Sequence, residues 1–309
     1  MALLRAQLFK TVAALSPYAF RITIEAAVPT VQVKRAGDMA PQAKIRRYVR
    51  FAIGDRTAYG LWQDGAIEEL KGSIYEQATP TGATFRAEQV RLLVPCEPSK
   101  VIAVGLNYKS HQAFVTSAEG AFTAPGGKPL DMSKPVIFAK FPSSLIPDGA
   151  NIVFPPGATN VHFEGELALV IGKKATRVSE GSAGNYVFGV SVCNDLVDRE
   201  WLLNDLQWFR AKGSDTFGPM GPAIVTGLDY SNLRLRTWVN GDLRQDSSTR
   251  ELVYSPDKLL SYVSQFVTLM PGDVIFTGTP GKTQAVTHRD SIEIEIEGVG
   301  RLRNSVAAL

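Results

Sequence analysis

The chain has 309 residues, of which 45% are hydrophobic and 20% are charged, and its formal net charge at neutral pH is +3. This composition is typical of a globular protein with a substantial core, and the charge is too small to indicate a nucleic-acid partner. Cys96 and Cys193 lie far apart, outside any cluster of metal-ligating residues, so neither a disulfide scaffold nor a zinc site is predicted. No apolar run approaches the roughly 20 residues that span a bilayer. We therefore expect a soluble cytoplasmic protein without a membrane partner.

Residues 1–44 are predicted to be an N-terminal extension. Arg5, Lys10 and Arg21 precede the first acidic residue, Glu25, and this composition faintly resembles an organelle targeting peptide. The apolar stretches of the extension are short and interrupted. A loosely ordered or dimer-contacting arm is therefore the favoured interpretation.

Residues 45–98 are predicted to form a small N-terminal β module followed by a connector. Strand-like runs occupy residues 48–51, 59–62 and 66–67. Gly54-Asp55 and Asp64-Gly65 separate these runs and are dipeptides typical of turns. From Gly72 onward the sequence is mixed and punctuated by proline, so we assign it as a connector to a larger domain at residues 99–309.

The larger domain is predicted to be rich in strands. Strand-like runs occupy residues 101–104, 163–171, 187–193 and 274–276. Asn240-Gly241 between two short apolar runs is the strongest hairpin signal in the chain. Strands outweigh helices and do not alternate regularly with them, so the fold class is predicted to be α+β and β-rich rather than a Rossmann sheet.

Two amphipathic helices are predicted in the same domain. The first covers residues 198–210, and its repeated face consists of Arg199, Leu202, Leu206 and Phe209. Ser255 and Pro256 provide the N-cap and the first-turn proline of the second helix. Its expected buried stripe consists of Leu259, Leu260, Val263, Phe266 and Val267.

Alternating glutamates occur in two segments. In residues 292–297 they alternate strictly with isoleucine, which is typical of a strand with one solvent-facing side. Glu164 and Glu166 instead run directly into the apolar residues 167–171, which predicts burial on both faces. Two buried carboxylates about 7 Å apart on one strand face would repel each other and lose their hydration. A bound cation would offset both effects.

Asp195 is the predicted third acid, because it follows an apolar run whose end would present it beside the glutamates. Three oxygen ligands without cysteine or histidine favour magnesium, manganese or calcium over zinc. Spacing alone leaves a cluster without a metal as an equal alternative. Asp198 competes for the third position, but its place ahead of a helical stripe suits an N-cap better.

His111 is the histidine with the most promising context, because it follows a predicted strand and the loop at residues 107–110. A solvated loop histidine is the alternative. Residues 116–134 come soon after it and are rich in alanine, glycine, proline and serine, so they cannot build a core. We expect these residues to form a mobile lid over bound substrate.

Seven segments in order resemble the fumarylacetoacetate hydrolase superfamily, and the resemblance covers residues 45–306. The segments are VGLNYKSH, PVIFAKFPSSL, HFEGELALVIGKKA, CNDLVDRE, AKGSDTFGPMGP, WVNGDLRQ and DVIFTGTP. The resemblance implies a mixed β-roll with flanking helices, usually in a homodimer. It also implies that Glu164, Glu166 and Asp195 are the metal ligands, with Mg²⁺ as the expected ion and Mn²⁺ or Ca²⁺ as alternatives.

The same resemblance assigns roles to six more residues. His111 matches the catalytic histidine of the family, and Arg199 and Lys212 match cations at the reacting oxygen. Substrate-contacting positions are matched by Tyr108, Lys140 and Thr279. The alternatives are an ion pair of Arg199 with Asp195, a surface position for Lys212, and loop-capping roles for the two hydroxyls.

Two positions depart from the family pattern. Phe114 stands where a glutamate commonly orients the histidine, and Glu119 or a water network would have to replace that carboxylate. Leu202 stands where many members have glutamine. The missing glutamate slightly favours reactions that need no attacking water.

The implied activity is enolate chemistry on a small 2-oxo acid. A magnesium-dependent hydrolase that breaks a carbon-carbon bond in an acylpyruvate or fumarylpyruvate is the first expectation, with His111 activating water. An isomerase of 2-hydroxy-diene diacids or an oxaloacetate-type decarboxylase is the alternative. A catalytically silent metal-binding protein is the rival from another class.

Overall fold

Strands carry most of the architecture. The computed structural model describes residues 44–117 and 131–308. In chain order the described strands are β1 (Arg46–Ile53), β2 (Arg56–Gln63), β3 (Ala66–Lys71), β4 (Thr79–Arg86), β5 (Arg91–Leu92), β6 (Val101–Gly105), β7 (Val136–Lys140), β8 (Leu145–Ile146), β9 (Asn151–Ile152), β10 (Val161–His162), β11 (Gly165–Ile171), β12 (Val187–Asn194), β13 (Val197–Asp198), β14 (Gly218–Thr226), β15 (Arg234–Val239), β16 (Asp242–Ser248), β17 (Val274–Phe276), β18 (Ser291–Ile296) and β19 (Gly300–Val306).

Helices are few and short in the described part of the chain. The α-helices are α1 (Lys109–Val115), α2 (Arg199–Asn204), α3 (Phe209–Gly213) and α4 (Pro256–Ser264). Single 3₁₀ segments occupy Ala87–Gln89, Pro142–Ser144, Glu180–Tyr186 and Thr249–Glu251. The predicted α+β, β-rich class is confirmed. None of the described helices has the length and apolar character needed to cross a membrane.

The strands form one large mixed sheet and two smaller ones. The large sheet has the order β4-β3-β2-β1-β14-β12-β11-β17-β6-β7, with β5 beside β1 and β8 beside β14. A second sheet has the order β16-β15-β18-β19-β9, and β10 pairs with β13. Most pairs are antiparallel, whereas β17 and β6 are parallel.

The centre of the large sheet is β11, and all seven of its residues are buried. Alternate side chains enter two different cores: Leu167 and Leu169 belong to one apolar cluster, and Ala168 and Val170 belong to another. Since successive strand residues point to opposite faces, both faces of β11 are covered. The predicted two-sided burial after the glutamates is confirmed.

The N-terminal β module contains the predicted strands and one more. β1, β2 and β3 include the three strand-like runs, but β4 occupies part of the segment that we assigned as a connector. That assignment was wrong for residues 79–86. β4 is the edge strand of the sheet, where Pro80 is tolerated, and its mostly exposed side chains leave little hydrophobic alternation to detect. β1 joins β14, so the module continues the large sheet.

The predicted helix over residues 198–210 is interrupted. α2 ends at Asn204, Asp205 has an extended backbone, and α3 begins at Phe209. Leu206 is 81% exposed and Phe209 is 68% exposed, so the predicted apolar face was wrong at both positions. Asparagine and aspartate compete for backbone hydrogen bonds and favour such breaks. The proposed N-cap was correct, because the Asp198 side chain accepts a hydrogen bond from the Trp201 N–H at 3.0 Å.

The second predicted helix agrees better with the structure. Ser255 caps α4 by accepting a hydrogen bond from the Lys258 N–H, and Leu259, Leu260 and Val263 are buried. The predicted stripe was wrong at its end, where Phe266 and Val267 are exposed beyond the helix. An uninterrupted apolar period in sequence does not reveal that α4 stops at Ser264.

The hairpin and the second glutamate segment are as predicted. Asn240 and Gly241 have φ values of 53° and 86° between β15 and β16, which matches the two positive values of a type I′ turn. In β18 the isoleucines are buried, whereas Glu293 and Glu295 form ion pairs with Arg301. The predicted lid at residues 116–134 lies mostly outside the described residues, and so does Glu119.

Candidate active site

An acidic cluster lies where β11 begins and β12 ends. These strands pair antiparallel with Gly165 opposite Asn194, which brings Asp195 beside Glu164. The Asp195 N–H donates to the Glu164 carbonyl at 2.9 Å. Carboxylate oxygens of Glu164, Glu166 and Asp195 lie within 4.8 Å of one another, and all three residues are buried. The structure therefore brings together the three acids that were predicted as ligands.

Two buried lysines contact this cluster. Lys212 Nζ lies 2.6 Å from Glu164 Oε2 and 2.9 Å from Asp195 Oδ2, and Lys140 Nζ lies 2.8 Å from Asp195 Oδ1. Burial lowers the pKa of Lys212, but Asp195 and Glu164 outweigh it, so the pKa lies above its ordinary value. Burial raises the pKa of Asp195, but Lys140 and Lys212 outweigh it and lower the pKa. Lys212 is thus a buried cation, and the surface-lysine alternative was wrong.

Glu166 shows why a cation suits the cluster. Burial raises the pKa of Glu166, and the charges of Asp195 and Glu164 raise it further. Its Oε2 accepts a hydrogen bond from the Gly278 N–H at 2.7 Å. A divalent cation among the three carboxylates would stabilise the ionised form of Glu166. A set of carboxylate oxygens is the donor chemistry that Mg²⁺ and Mn²⁺ prefer, so these residues fit such an ion.

Gly165 lies between the two glutamates and faces the second sheet. A Cβ at this position would overlap the Thr237 hydroxyl, which comes from the second sheet, and would lie 3.1 Å from Gln245 Oε1. Glycine is therefore the residue that lets the second sheet approach the cluster this closely.

We expect Gly165→Ala to lower the free energy of unfolding by about 2 kcal/mol or more, because overpacking a core commonly has this effect. Urea denaturation followed by circular dichroism measures the change. Gly181→Ala is the matched control, since nothing lies within 4 Å of a Cβ there, and its change should stay within about 0.5 kcal/mol. Equal unfolding midpoints for the two variants would contradict the close approach.

His111 lies in helix α1 and is only 6% exposed, so the solvated-loop alternative was wrong. Its Nδ1 is 2.6 Å from the carbonyl oxygen of Gly281. Burial lowers the pKa of His111. Glu164 and the Gly281 contact partly oppose this effect, and Lys212 and Arg199 lower the pKa by smaller amounts. The imidazole is therefore neutral at neutral pH.

Phe114 takes part in the site although it cannot act as a carboxylate. Its ring centroid lies 6.0 Å from that of His111, and the guanidinium of Arg199 lies over the same ring at 5.7 Å. Such a cation–π contact stabilises a partly buried arginine. Phe114 thus lies close to both the histidine and the arginine.

These groups share one cavity. Six of the nine predicted site residues line it: His111, Glu164, Glu166, Arg199, Lys212 and Thr279. The remaining wall is mainly apolar and includes Leu106, Val115, Phe138, Val197, Leu202 and Trp208. Leu202 therefore faces the cavity, in contrast to Leu206 on the surface.

The other three predicted residues lie behind the cavity wall. Asp195 completes the acidic cluster, and Lys140 is fully buried against it. Tyr108 is also fully buried, and its hydroxyl makes no hydrogen bond to a described residue. Burial raises the pKa of Tyr108, and the charge of Glu166 contributes to the rise. The substrate-contacting roles of Lys140 and Tyr108 remain predictions.

Sequence reasoning missed two residues that organise the site. Asn107 Nδ2 donates to the carbonyls of Tyr254 and Thr277, which holds the loop that follows β17. Gln245 forms hydrogen bonds to the same loop from β16. The only sequence signal for either residue was its presence in the segments VGLNYKSH and WVNGDLRQ.

Two family models match this chain. The family model described as fumarylacetoacetate (FAA) hydrolase C-terminal matches residues 100–307, and the model described as Rv2993c-like, N-terminal matches residues 46–95. The mitochondrial oxaloacetate tautomerase FAHD2B of Bos taurus is 37% identical over 241 residues, which cover 74% of this chain and 73% of that protein.

Two solved structures have folds similar to that of this chain. The 2-hydroxyhepta-2,4-diene-1,7-dioate isomerase from Mycobacterium marinum has a TM-score of 0.76 and 35% identity, and the match covers 85% of this chain and 98% of that one. Maleylpyruvate hydrolase from Sphingobium sp. SYK-6, in complex with manganese(II) and pyruvate, has a TM-score of 0.67 and 29% identity over 85% of this chain and 99% of that one. This chain belongs to the fumarylacetoacetate hydrolase family.

Proposed function

We propose that this chain is a divalent-metal-dependent enzyme that transfers a proton between carbon and oxygen, or between two carbons, of a small 2-oxo acid. It would then be a keto-enol tautomerase or an isomerase. The supporting observation is that a buried neutral histidine and a buried lysine cation line the same cavity as the acidic cluster. These are the groups that proton abstraction next to a carbonyl requires.

The residues have separate tasks in this reaction. When bound by Glu164, Glu166 and Asp195, a divalent ion supplies Lewis acidity that stabilises negative charge on the 2-oxo group. His111 takes the proton from the carbon next to the carbonyl, and it returns the proton to the oxygen or to a conjugated carbon. Lys212 adds a fixed positive charge beside the developing enolate.

Two observations favour proton transfer over hydrolysis. Phe114 stands at the position where a glutamate would assist the histidine in activating water, and its ring contacts His111. Leu202 stands where many family members have glutamine, and it contributes an apolar side chain to the cavity wall that cannot hold a water by a hydrogen bond. The tautomerase and isomerase names of two relatives support the same chemistry.

Hydrolysis of an acylpyruvate-type carbon-carbon bond is the second candidate. The similarity to maleylpyruvate hydrolase supports it, because that enzyme was solved with manganese and pyruvate. His111 would then deprotonate water rather than the substrate. Assembly as a homodimer remains a prediction for either activity.

A panel of four reactions, assayed with the magnesium-loaded protein, tests the proposal. We expect oxaloacetate tautomerisation or 2-hydroxy-diene diacid isomerisation to exceed acylpyruvate hydrolysis and oxaloacetate decarboxylation in kcat/KM by at least about ten-fold, or about 1.4 kcal/mol of transition-state free energy. If acylpyruvate hydrolysis has the highest kcat/KM, the protein is a hydrolase and the proposal is wrong. Absence of turnover in all four reactions would favour a catalytically silent protein.

A further inference from the structure

The buried side-chain amide of Gln245 forms hydrogen bonds to β11, to β15 and to the loop after β17. Gln245 on β16 is 4% exposed. Its Nε2 donates to Thr279 Oγ1 at 2.9 Å and to the Pro280 carbonyl at 2.7 Å. Its Oε1 accepts from Thr237 Oγ1 at 2.7 Å and from the Gly165 N–H at 3.3 Å. Both N–H groups and both oxygen lone pairs of the amide are therefore used.

These partners determine which way the amide points. The Pro280 carbonyl can only accept, and the Gly165 N–H can only donate, so the nitrogen must face the loop after β17 and the oxygen must face β11. A glutamate at position 245 would place an oxygen against the Pro280 carbonyl. The site thus requires an amide at this position rather than a carboxylate of the same shape.

The loop that Gln245 holds is the loop that contacts the histidine. Gly281 follows Pro280, has a left-handed φ of 60°, and donates its N–H to Ser110 Oγ at 3.0 Å. Its carbonyl lies 2.6 Å from His111 Nδ1. Because a carbonyl can only accept, a neutral His111 must carry its proton on Nδ1 and keep its lone pair on Nε2.

We propose that Gln245 is a positioning residue that, through Pro280 and Gly281, holds His111 in the Nδ1–H tautomer. The backbone carbonyl of Gly281 takes the orienting role for which position 114 offers only a phenyl ring. The catalytic meaning of this arrangement rests on the proposed function, since Nε2 is then the base. The tautomer is a property of the protein that can be measured without any substrate.

Nuclear magnetic resonance of the magnesium-loaded protein with ¹⁵N-labelled histidine tests the proposal. The chain has three histidines, His111, His162 and His288, so long-range proton–nitrogen spectra will show few signals. At pH 8 we expect the Nδ1 of His111 to be protonated and its Nε2 to be unprotonated. A spectrum of His111→Ala assigns the signal.

Three variants distinguish a positioning role of Gln245 from a role in packing alone. Gln245→Met keeps the length of the side chain and Gln245→Glu keeps its shape, but neither can donate to Pro280. Both should mix the tautomers of His111 and lower kcat by roughly 10- to 100-fold, as loss of an orienting partner commonly does, with little change in KM. Thr237→Val is the matched control, because it removes one hydrogen bond to Oε1 and leaves both Nε2 donors in place. It should keep the single tautomer.

Each outcome decides between the alternatives. A proton on Nε2 of His111 in the unchanged protein would overturn the proposal even if no variant folds. A single Nδ1–H tautomer and an unchanged kcat in Gln245→Met or Gln245→Glu would assign Gln245 to packing alone. If the tautomer responds as expected but no 2-oxo acid is turned over, the positioning role stands and the proposed function fails.

Discussion

Replacing Glu166 with glutamine is expected to abolish divalent-ion binding and to lower kcat by roughly 1,000-fold, which corresponds to about 4 kcal/mol of lost charge stabilisation. The variant loses one of the three clustered carboxylates. Its side-chain oxygen can still accept the hydrogen bond from the Gly278 N–H, so the fold should persist. Isothermal titration calorimetry with Mg²⁺ and Mn²⁺ should show one site per chain in the unchanged protein and none in the variant.

Glu295→Gln is the matched control for this experiment. Glu295 lies on β18 and pairs with Arg236 and Arg301, away from the cavity. Its ion binding should equal that of the unchanged protein. Thermal denaturation gives a second measurement, because an ion at 100 times its Kd stabilises the folded state by about 2.7 kcal/mol. Unaltered binding isotherms for Glu166→Gln would exclude the acidic cluster as the ion site.

Replacing His111 with alanine is expected to lower kcat for proton transfer by roughly 100- to 10,000-fold, the range for loss of a general acid-base group. Binding of the divalent ion should be unaffected, because His111 is not among the three clustered acids. Oxaloacetate decarboxylation should fall less, since it depends mainly on charge stabilisation. Steady-state kinetics of both reactions on the same preparation measures the difference.

The pH profile and a second histidine provide the controls for His111. Burial is the main cause that lowers the pKa of His111, and only the neutral ring is a base. The acidic limb of kcat/KM, which reports the free enzyme, should therefore lie below 6.5, the ordinary pKa of histidine. His288→Ala should keep full activity, because His288 contacts the Ala307 carbonyl near the C-terminus. Equal small losses for His111→Ala in both reactions would make His111 a structural residue and leave the proton transfer to another group.

The glutamates of the acidic cluster could be predicted from the local sequence pattern. Two glutamates two positions apart must share a strand face, and the apolar run after them required burial on both sides. The structure confirms burial on both sides of β11, and it places Glu164 directly before that strand. That Asp195 lies beside them depends on the register of β11 and β12, which the end of an apolar run only suggested.

Hydrophobic periodicity gave a wrong prediction for the helix over residues 198–210, because it could not show which residues of that helix would be buried. Leu206 and Phe209 share a period with Arg199 and Leu202, yet the chain breaks at Asp205 and both residues are exposed. Asp205 forms an ion pair with Arg210 across the break. Periodicity reports a possible face but does not determine whether another element covers it. The edge strand β4 escaped detection for the opposite reason, because exposed strands lack a hydrophobic signal.

Short-range chemistry in the chain was sufficient to predict the β-rich class, the burial of Glu164 and Glu166, both helix N-caps and the Asn240-Gly241 hairpin. Each of these depends on neighbours within a few positions. Only the folded arrangement decided the partner of His111, which is a backbone carbonyl 170 positions away. It also decided the four hydrogen bonds of Gln245, two of which reach loop residues 34 and 35 positions away. A main-chain carbonyl is present at every residue, so its identity carries no sequence signal. Its role exists only where tertiary packing brings it to an imidazole.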